Sequence, residues 1–183
     1  IFPSVIIIIL PNNSSKFNRF HIVGRPGSGK SYAAKKLSVL LNIPFYDLDD
    51  IFWHKEDIDY TKTIPEKERD AKLKNIIKQK KWIIEGSFGS WTDPSFKKAD
   101  RIIILKPNRY LRALRIAKRD IKAKFKITNR KAESLKSFFK FLKWNHLYDK
   151  DNLLKLEEKL EKYNDKILYI KKADQIISYF KKI

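Results

Sequence analysis

The chain contains no cysteine and no methionine, and only 5 glycines and 3 histidines among its 183 residues. Without cysteine it can form neither disulfide bonds nor thiolate metal sites, and it has no cysteine nucleophile. The histidines, His21, His54 and His146, lie far apart in the sequence, which argues against a histidine-based metal site. A chain of this kind suits a reducing compartment, and we expect a cytoplasmic protein.

Acidic residues are also scarce beside basic ones. The 41 lysines and arginines outnumber the 21 acids, which gives a formal net charge of +20 at pH 7. Such a charge favours association with polyanions, and nucleic acid is one candidate partner. Because most of the excess is lysine spread along the whole chain, we prefer a general basic bias to a dedicated nucleic-acid surface. Both explanations stay open.

Long apolar runs are missing except at the start, where residues 1–11 are IFPSVIIIILP. An apolar run of about ten residues is too short to span a bilayer. No basic residue precedes it and no small-residue cleavage site follows it, so a signal peptide explains it poorly. We expect residues 1–15 to be an extension outside the domain, with an additional buried strand as the alternative. Residues 16–183 are then one domain without membrane contact.

What the sequence does contain is a series of apolar runs that alternate with amphipathic segments. Strands are predicted at residues 20–23, 43–48, 82–86, 101–105 and 166–170. Helices are predicted at residues 31–42, 64–81 with Pro65 in the first turn, 108–125, 135–144, 151–163 and 173–182. Continuous apolar runs suit a parallel sheet that is buried on both faces. The alternation therefore predicts a three-layer α/β domain around a five-stranded parallel sheet.

Three of the 5 glycines lie in one short stretch, GRPGSGKS at residues 24–31, which fits the pattern G-x-x-x-x-G-K-[ST]. Glycines let successive backbone N–H groups point at phosphate oxygens, and the helix that follows adds the positive end of its dipole. Lys30 can reach the β- and γ-phosphates, and the Ser31 hydroxyl can bind Mg²⁺. We call residues 24–31 the P-loop and predict that they bind nucleotide; an ordinary glycine turn is the alternative. The predicted nucleotide contacts are Gly24, Pro26, Gly27, Ser28, Gly29, Lys30, Ser31 and Tyr32.

Other sequence motifs indicate which class of P-loop protein this chain belongs to, and therefore how the bound phosphate is used. No N-K-x-D guanine signature is present and no D-x-x-G follows a predicted strand at switch spacing, so a GTPase is disfavoured. The stretches at residues 22–53, 82–88 and 99–105, with the arginine-rich helix after them, resemble the adenylate-kinase-like P-loop kinases. Among these, the chain is most similar to the small bacterial DNA topology modulation proteins. The resemblance implies an adenylate/shikimate kinase-like fold that uses ATP and Mg²⁺, with an acceptor-binding helical insert at about 50–81 and a lid at about 120–145.

Two aspartates end the second predicted strand, where an open α/β sheet places its binding crevice. Asp47 and Asp49 alternate with Leu48, so we expect both carboxylates to face the same way. They resemble the D-x-D of shikimate-type kinases, which assigns Asp47 to the metal site with Ser31 and Asp49 to the acceptor hydroxyl. Helix capping is the alternative for both aspartates, and Asp50 is predicted to be a cap.

Glu85 ends the third predicted strand, at the position of a Walker-B-like acid beside the P-loop. The proteins that the chain resembles usually carry aspartate there. Because glutamate reaches one methylene further, we predict that Glu85 acts on Mg²⁺ through water rather than as a direct ligand. A simple turn after a buried strand is the competing explanation.

Four of the nine arginines fall in one predicted helix at a spacing of 3, 3 and 4, and therefore share a face: Arg109, Arg112, Arg115 and Arg119. Kinases of this fold place arginines there and on the lid to neutralise the transferring phosphoryl group. The resemblance assigns catalytic roles to Arg119 and the lid-like Arg130, and a nucleotide contact to Arg115. A solvated basic face is the alternative, and the roles of Arg109 and Arg112 stay open.

Phe52 and Trp53 are candidates for the lining of an acceptor pocket. The aromatic residues of the helix predicted at 135–144 are candidates for base stacking. We expect core packing for all of them except Trp53. The aromatic residues of the helix at 135–144 are Phe138, Phe139, Phe141 and Trp144.

The sequence as a whole predicts an ATP- and Mg²⁺-dependent kinase for a small acceptor, with nucleotides among the candidates. The alternatives are a nucleic-acid-associated protein that uses ATP as a switch, and a degenerate kinase fold that serves as a scaffold.

Overall fold

A parallel sheet lies at the centre of the computed structural model, which describes residues 17–54, 62–125 and 155–181. Its strands run in the order β2-β3-β1-β4-β5. The N-terminal extension, Arg130 and the helix predicted at 135–144 lie outside the described residues. The strands are β1 (Arg19–Gly24), β2 (Phe45–Asp47), β3 (Trp82–Glu85), β4 (Arg101–Leu105) and β5 (Ile167–Ile170).

Each predicted apolar run forms a strand, because runs of isoleucine and valine suit a sheet that is covered on both faces. β3 is buried along its whole length, and β4 is buried except at Arg101. All four strand pairs are parallel. β1 is the central strand, and it delivers the P-loop to the middle of the carboxyl edge of the sheet.

Helices cover both faces of the sheet, as a three-layer domain requires. They are α1 (Lys30–Leu41), α2 (Asp49–Phe52), α3 (Glu66–Ile77), α4 (Asp93–Lys98), α5 (Arg109–Lys124), α6 at 155–160 and α7 (Asp174–Lys181). A short 3₁₀ helix, Glu161–Lys166, joins α6 to β5. α1 and α7 pack on one face around Leu37 and Phe180, and α3, α4 and α6 pack on the other around Leu73 and Phe96.

The main differences from the predicted elements are local. β2 has 3 residues and ends at Asp47, so Asp49 lies in α2 and not on a strand. Asp47 and Asp49 were predicted to face the same way because of strand alternation, and this reason is wrong. The four-residue α2 and six-residue α4 were not predicted as separate helices, since so short a segment shows no helical period.

His21 is fully buried on β1 and stacks on Phe96 at a ring-centroid distance of 4.3 Å. Its Nδ1 lies 2.9 Å from the Ser95 hydroxyl. Burial lowers the pKa of His21 to about 3, because the charged imidazolium loses its hydration there. His21 is therefore a neutral core residue. Within the described ranges, no helix combines the length and apolar character needed to cross a bilayer.

Candidate active site

The P-loop connects the end of β1 to the first turn of α1. Gly24 ends the strand, the N–H of Ser28 donates to the carbonyl of Arg25 over 3.0 Å, and α1 begins at Lys30. Gly29 is the N-cap of α1 with φ of 94°, and it supplies no capping side chain. The first N–H groups of a helix have no intrahelical acceptor, so this turn presents donors to an anion.

Helix α5 lies directly against the P-loop. Gly27 has φ of 73°, and a Cβ atom there would lie 2.9 Å from the carbonyl oxygen of Arg112 and 3.0 Å from Cγ1 of Ile116. Only glycine combines this backbone conformation with so close an approach. The helix therefore fixes the path of the P-loop.

Arg115 of α5 holds the P-loop through its carbonyl groups. Its Nη1 donates to the carbonyl of Ser28 over 3.0 Å and reaches the carbonyl of Gly27 at 3.4 Å. These bonds direct both carbonyl groups toward the guanidinium of Arg115. The N–H groups on the opposite side of the peptide units are then left for an anion. Arg115, predicted as a nucleotide contact, is thus placed as a support for the loop.

Lys30 lies among three carboxylates at the carboxyl edge of the sheet. Asp47 and Glu85 are partners in the β2–β3 register, which places their side chains side by side. Burial lowers the pKa of Lys30, while the charges of Glu85, Asp49 and Asp47 act in the opposite direction. The nearby Arg119 lowers it further. The structure therefore brings together the residues that sequence analysis assigned to metal, acceptor and phosphate.

Glu85 is almost completely buried, with 2% of its surface exposed. Burial and the neighbouring charge of Asp47 raise the pKa of Glu85 to about 7, while Lys30 and a hydrogen bond from Ser31 oppose the rise. A side-chain hydrogen bond with Asp47 also raises the pKa of Glu85. A buried acid with a raised pKa beside the Ser31 hydroxyl is a group that a bound cation would ionise.

Asp47 also shapes the start of α2. Its Oδ1 accepts the backbone N–H of Asp49 over 2.9 Å, which fixes Asp49 relative to the end of β2. Asp50 is the second residue of α2 and so is not at the cap position, contrary to the prediction. Asp49 itself is exposed, as a residue that meets a diffusing acceptor needs to be.

The donor atoms fit Mg²⁺ better than a softer metal, since they are carboxylate and hydroxyl oxygens. Among the residues that the structure describes, no three Asp, Glu, His or Cys side chains are close enough to hold a metal by themselves. Mg²⁺ commonly takes one or two protein oxygens and completes its shell with water and substrate phosphates. Ser31 and Asp47, with Glu85 acting through water, suit that partial type of site.

Four aromatic residues at the end of α2 and in the loop after β3 pack together in what we call the aromatic wall: Phe52, Trp53, Phe88 and Trp91. Phe52 packs against Trp53 at 4.7 Å and Phe88 at 4.6 Å between ring centroids, and Trp91 lies 5.5 Å from Phe88. Arg69 of α3 is buried and places its guanidinium 4.7 Å from the ring centroid of Trp91. Phe52 and Trp53 were predicted as candidates for an acceptor pocket, whereas Phe88 and Trp91, in the loop after β3, were not predicted.

Gly86 lets this loop leave the sheet. It has φ of +147°, and a Cβ atom there would lie 2.7 Å from the Cβ of Leu48, the residue between Asp47 and Asp49. Gly86→Ala is expected to lower the free energy of unfolding by roughly 2–4 kcal/mol, because both the backbone and Leu48 must shift. Urea denaturation measures this loss.

Gly89→Ala is the matched control for Gly86→Ala. A Cβ atom at Gly89 meets only Cδ1 of Leu156, at an ordinary contact distance of 3.6 Å. We expect this variant to stay within about 1 kcal/mol of the wild type. Equal stability of the two variants would show that the contact of Gly86 with Leu48 does not constrain the fold.

The other predicted residues are placed as follows. Pro26 lies half-buried in the P-loop. Tyr32 is exposed and donates its hydroxyl to Asp174 over 2.9 Å, which ties α1 to α7. Arg112 is buried, whereas Arg109 is exposed and donates to the hydroxyl of Tyr110 over 2.8 Å. The predicted shared arginine face is therefore divided. Arg112 lies in its buried part, on the stretch of α5 that contacts the P-loop, and Arg109 lies at its exposed end.

The fold is shared with solved structures of small-molecule kinases. Shikimate kinase from Acinetobacter baumannii in complex with shikimate matches with a TM-score of 0.54 and 18% identity, over 93% of this chain and 98% of that chain. Shikimate kinase from Bacteroides thetaiotaomicron matches with a TM-score of 0.52 and 17% identity, over 91% and 96%. A gluconokinase from Sinorhizobium meliloti matches with a TM-score of 0.51 and 15% identity, over 89% of both chains. The chain therefore has an α/β P-loop kinase fold.

Comparison at the level of sequence gives a family model and no individual protein. A model described as an AAA domain matches residues 21–136, which include the P-loop, the acids and α5. No curated protein matches the chain.

Proposed function

We propose that this chain, which belongs to the AAA domain family, transfers the γ-phosphoryl group of ATP to a hydroxyl group of a small acceptor. The observation that supports this most directly is the grouping of Lys30 with Asp47, Asp49 and Glu85 beside the P-loop. A loop that only held a phosphate would need the lysine and the amides. The acids add groups suited to a metal and to an acceptor hydroxyl.

In this proposal the P-loop amides and Lys30 bind the β- and γ-phosphates. The first turn of α1 has free N–H donors, and Arg115 holds the loop in the shape that exposes them. Ser31 and Asp47 would hold Mg²⁺, with Glu85 acting through water, and the ion would supply positive charge that neutralises the phosphates. We propose Pro26, Ser28 and Tyr32 as further contacts of the nucleotide.

Asp49 accepts the proton of the acceptor hydroxyl. As the hydroxyl oxygen forms its bond to the γ-phosphorus, the bond from that phosphorus to the bridging oxygen breaks and ADP leaves. Arg119, whose charge is felt at Lys30, stabilises the negative charge that shifts toward the leaving group. We propose the same role for Arg130, on a lid that spans about 120–145.

The acceptor lies against the aromatic wall, within a helical insert at about 50–81. Flat rings with a buried guanidinium behind them suit a planar, partly apolar molecule, and a nucleotide is the first acceptor to test. The neighbouring structures carry the names of small-molecule kinases, and we therefore place a small acceptor before a nucleic acid.

A screen for ADP release tests this proposal. Purified protein with Mg²⁺ and ATP is supplied with nucleoside monophosphates, shikimate, gluconate and other hydroxylated metabolites in turn. At least one acceptor is expected to raise ADP release well above the basal rate. Asp49→Asn is expected to lower that rate about 10²- to 10⁴-fold, since the general base is lost, with ADP affinity nearly unchanged.

Asp50→Asn is the matched control for Asp49→Asn, because Asp50 is the next residue of the same short helix and is also exposed. It is expected to stay within about threefold of the wild-type rate. Acceptor-dependent ADP release that survives in Asp49→Asn would contradict the role of Asp49. Failure of the wild type to bind ATP would contradict the proposed function as a whole.

A further inference from the structure

The parallel pairing of β1 with β3 ends just before the P-loop. Ile22 is in register with Glu85, and the N–H of Gly86 donates to the carbonyl of Ile22 over 3.1 Å. In a parallel pair, alternate residues direct their backbone groups to the same neighbour. Gly24, two residues after Ile22, therefore turns its N–H and C=O toward β3, where Gly86 has already directed the chain out of the sheet.

The side chain of Ser87 takes the place of the missing backbone partner. The N–H of Gly24 donates to the Ser87 hydroxyl over 3.0 Å, and the same hydroxyl donates to the carbonyl of Gly24 over 2.6 Å. A hydroxyl is a small group that both accepts and donates, which one backbone unit requires here. Gly24 is buried, so alanine at position 87 would leave two backbone groups without this partner.

Ser87 begins the loop that carries half of the aromatic wall. Phe88 is the next residue, and Trp91 follows three positions later. The middle of this loop is held by Lys159 of α6, whose ammonium donates to the carbonyl of Gly89. The first residue of the P-loop and the acceptor side are thus joined through one side chain.

We propose that Ser87 is a positioning residue that couples the aromatic wall to the P-loop. Its hydroxyl fixes Gly24 in the conformation that binds phosphate, and nucleotide binding is transmitted through it to Phe88 and Trp91. This inference rests on the proposed function, because it concerns the same nucleotide site. It adds a residue that supports binding without touching the nucleotide.

The affinity for ADP with Mg²⁺, measured by isothermal titration calorimetry, is the first test. Ser87→Ala is expected to weaken ADP binding about 10-fold, because part of the cost of the unpaired groups of Gly24 appears in binding. Ser87→Thr keeps the hydroxyl and is expected to restore the affinity to within about threefold of the wild type. Ser90→Ala, an exposed serine of the same loop, is the matched control and is expected to bind as the wild type does.

Trp91 fluorescence is the second readout, and it distinguishes coupling from general destabilisation. Saturating ADP is expected to change the emission of the wild type, and the part that is absent in Trp91→Phe is assigned to Trp91. That part is expected to disappear in Ser87→Ala at saturating ADP and to return in Ser87→Thr. A residue needed only for stability would lower the melting temperature and leave the saturated response intact, which would overturn the proposal.

The outcomes separate this inference from the proposed function. If the wild type binds ADP and Ser87→Ala binds it within about twofold as tightly, the role of Ser87 is overturned while the kinase proposal stands. If the wild type does not bind ADP, both are overturned. Ser87→Cys, which has nearly the same shape but hydrogen-bonds weakly, provides the same comparison where the alanine variant does not fold.

Discussion

Lys30→Ala is expected to lower the affinity for ATP at least 100-fold and to abolish acceptor-dependent ADP release. The ammonium is the positive group that the structure places among three carboxylates. Without it, the phosphates lose their lysine contact, and the negative charge of the neighbouring acids is no longer offset by that ammonium. Binding of a fluorescent ATP analogue and a coupled ADP assay measure the two losses.

Lys35→Ala is the control for Lys30→Ala. Lys35 is an exposed residue of the same helix, and its removal changes the net charge of the chain by the same amount. It is expected to leave ATP affinity within about twofold of the wild type. Unchanged ATP affinity in Lys30→Ala would refute the nucleotide site, whereas equal losses in both variants would indicate a general effect of charge.

Glu85→Gln is expected to stabilise the ligand-free protein above neutral pH while it lowers the kinase activity. The pKa of Glu85 is raised from 4.5 to about 7 in the folded protein, so the folded state keeps a proton that the unfolded state releases. Stability is therefore lost as pH rises through this interval, and the loss is complete above about pH 7. Glutamine resembles the protonated acid and does not ionise, so the variant avoids this loss.

The expected gain from Glu85→Gln at pH 8 is on the order of 3 kcal/mol, and it shrinks toward zero near pH 4.5. Urea denaturation at several pH values, without nucleotide or Mg²⁺, measures it. Glu158→Gln, an exposed substitution on α6, is expected to show no such pH-dependent gain. A Glu85→Gln variant that is less stable than the wild type at pH 8 would contradict the raised pKa.

The activity of Glu85→Gln is expected to change in the opposite direction. A cation near Ser31 and Asp47 would favour the ionised form of Glu85, so Mg·ATP binding by the wild type is expected to release a proton near neutral pH. The affinity of the wild type for Mg·ATP therefore rises as pH increases through about 7, and this rise is absent in the variant. A stable but weakly active enzyme is the result that would identify Glu85 as part of the site.

β3 and β4 were predictable from sequence because each belongs to a continuous apolar run between polar segments. RIIIL forms β4 at the predicted residues, and WIIEG forms β3 with only Gly86 left outside. The P-loop was predictable for a similar reason, since its glycines, Lys30 and Ser31 form one contiguous pattern. Such features are local, and local patterns survive in the folded structure.

The parts of the site that sequence analysis missed depend on contacts between distant residues. The bond from Ser87 to Gly24 joins positions that are 63 residues apart, and Arg115 reaches Ser28 across 87. Ser87 directly follows Gly86 at the end of WIIEG, and that position was the available signal for its bond to Gly24. Asp47 and Asp49 were predicted as site residues, but their placement was not, because β2 ends at Asp47, two residues before Asp49, and strand alternation does not reach that residue.

The absence of a side chain at Gly27 has an energetic consequence for ligand capture. The backbone of α5 touches the P-loop there, so the helix that carries Arg115 and Arg119 is seated before any ligand arrives. Holding long arginine side chains in one place normally costs conformational freedom at the moment of binding. In this chain much of that ordering accompanies folding, so more of the attraction between protein and phosphate is left to hold the nucleotide.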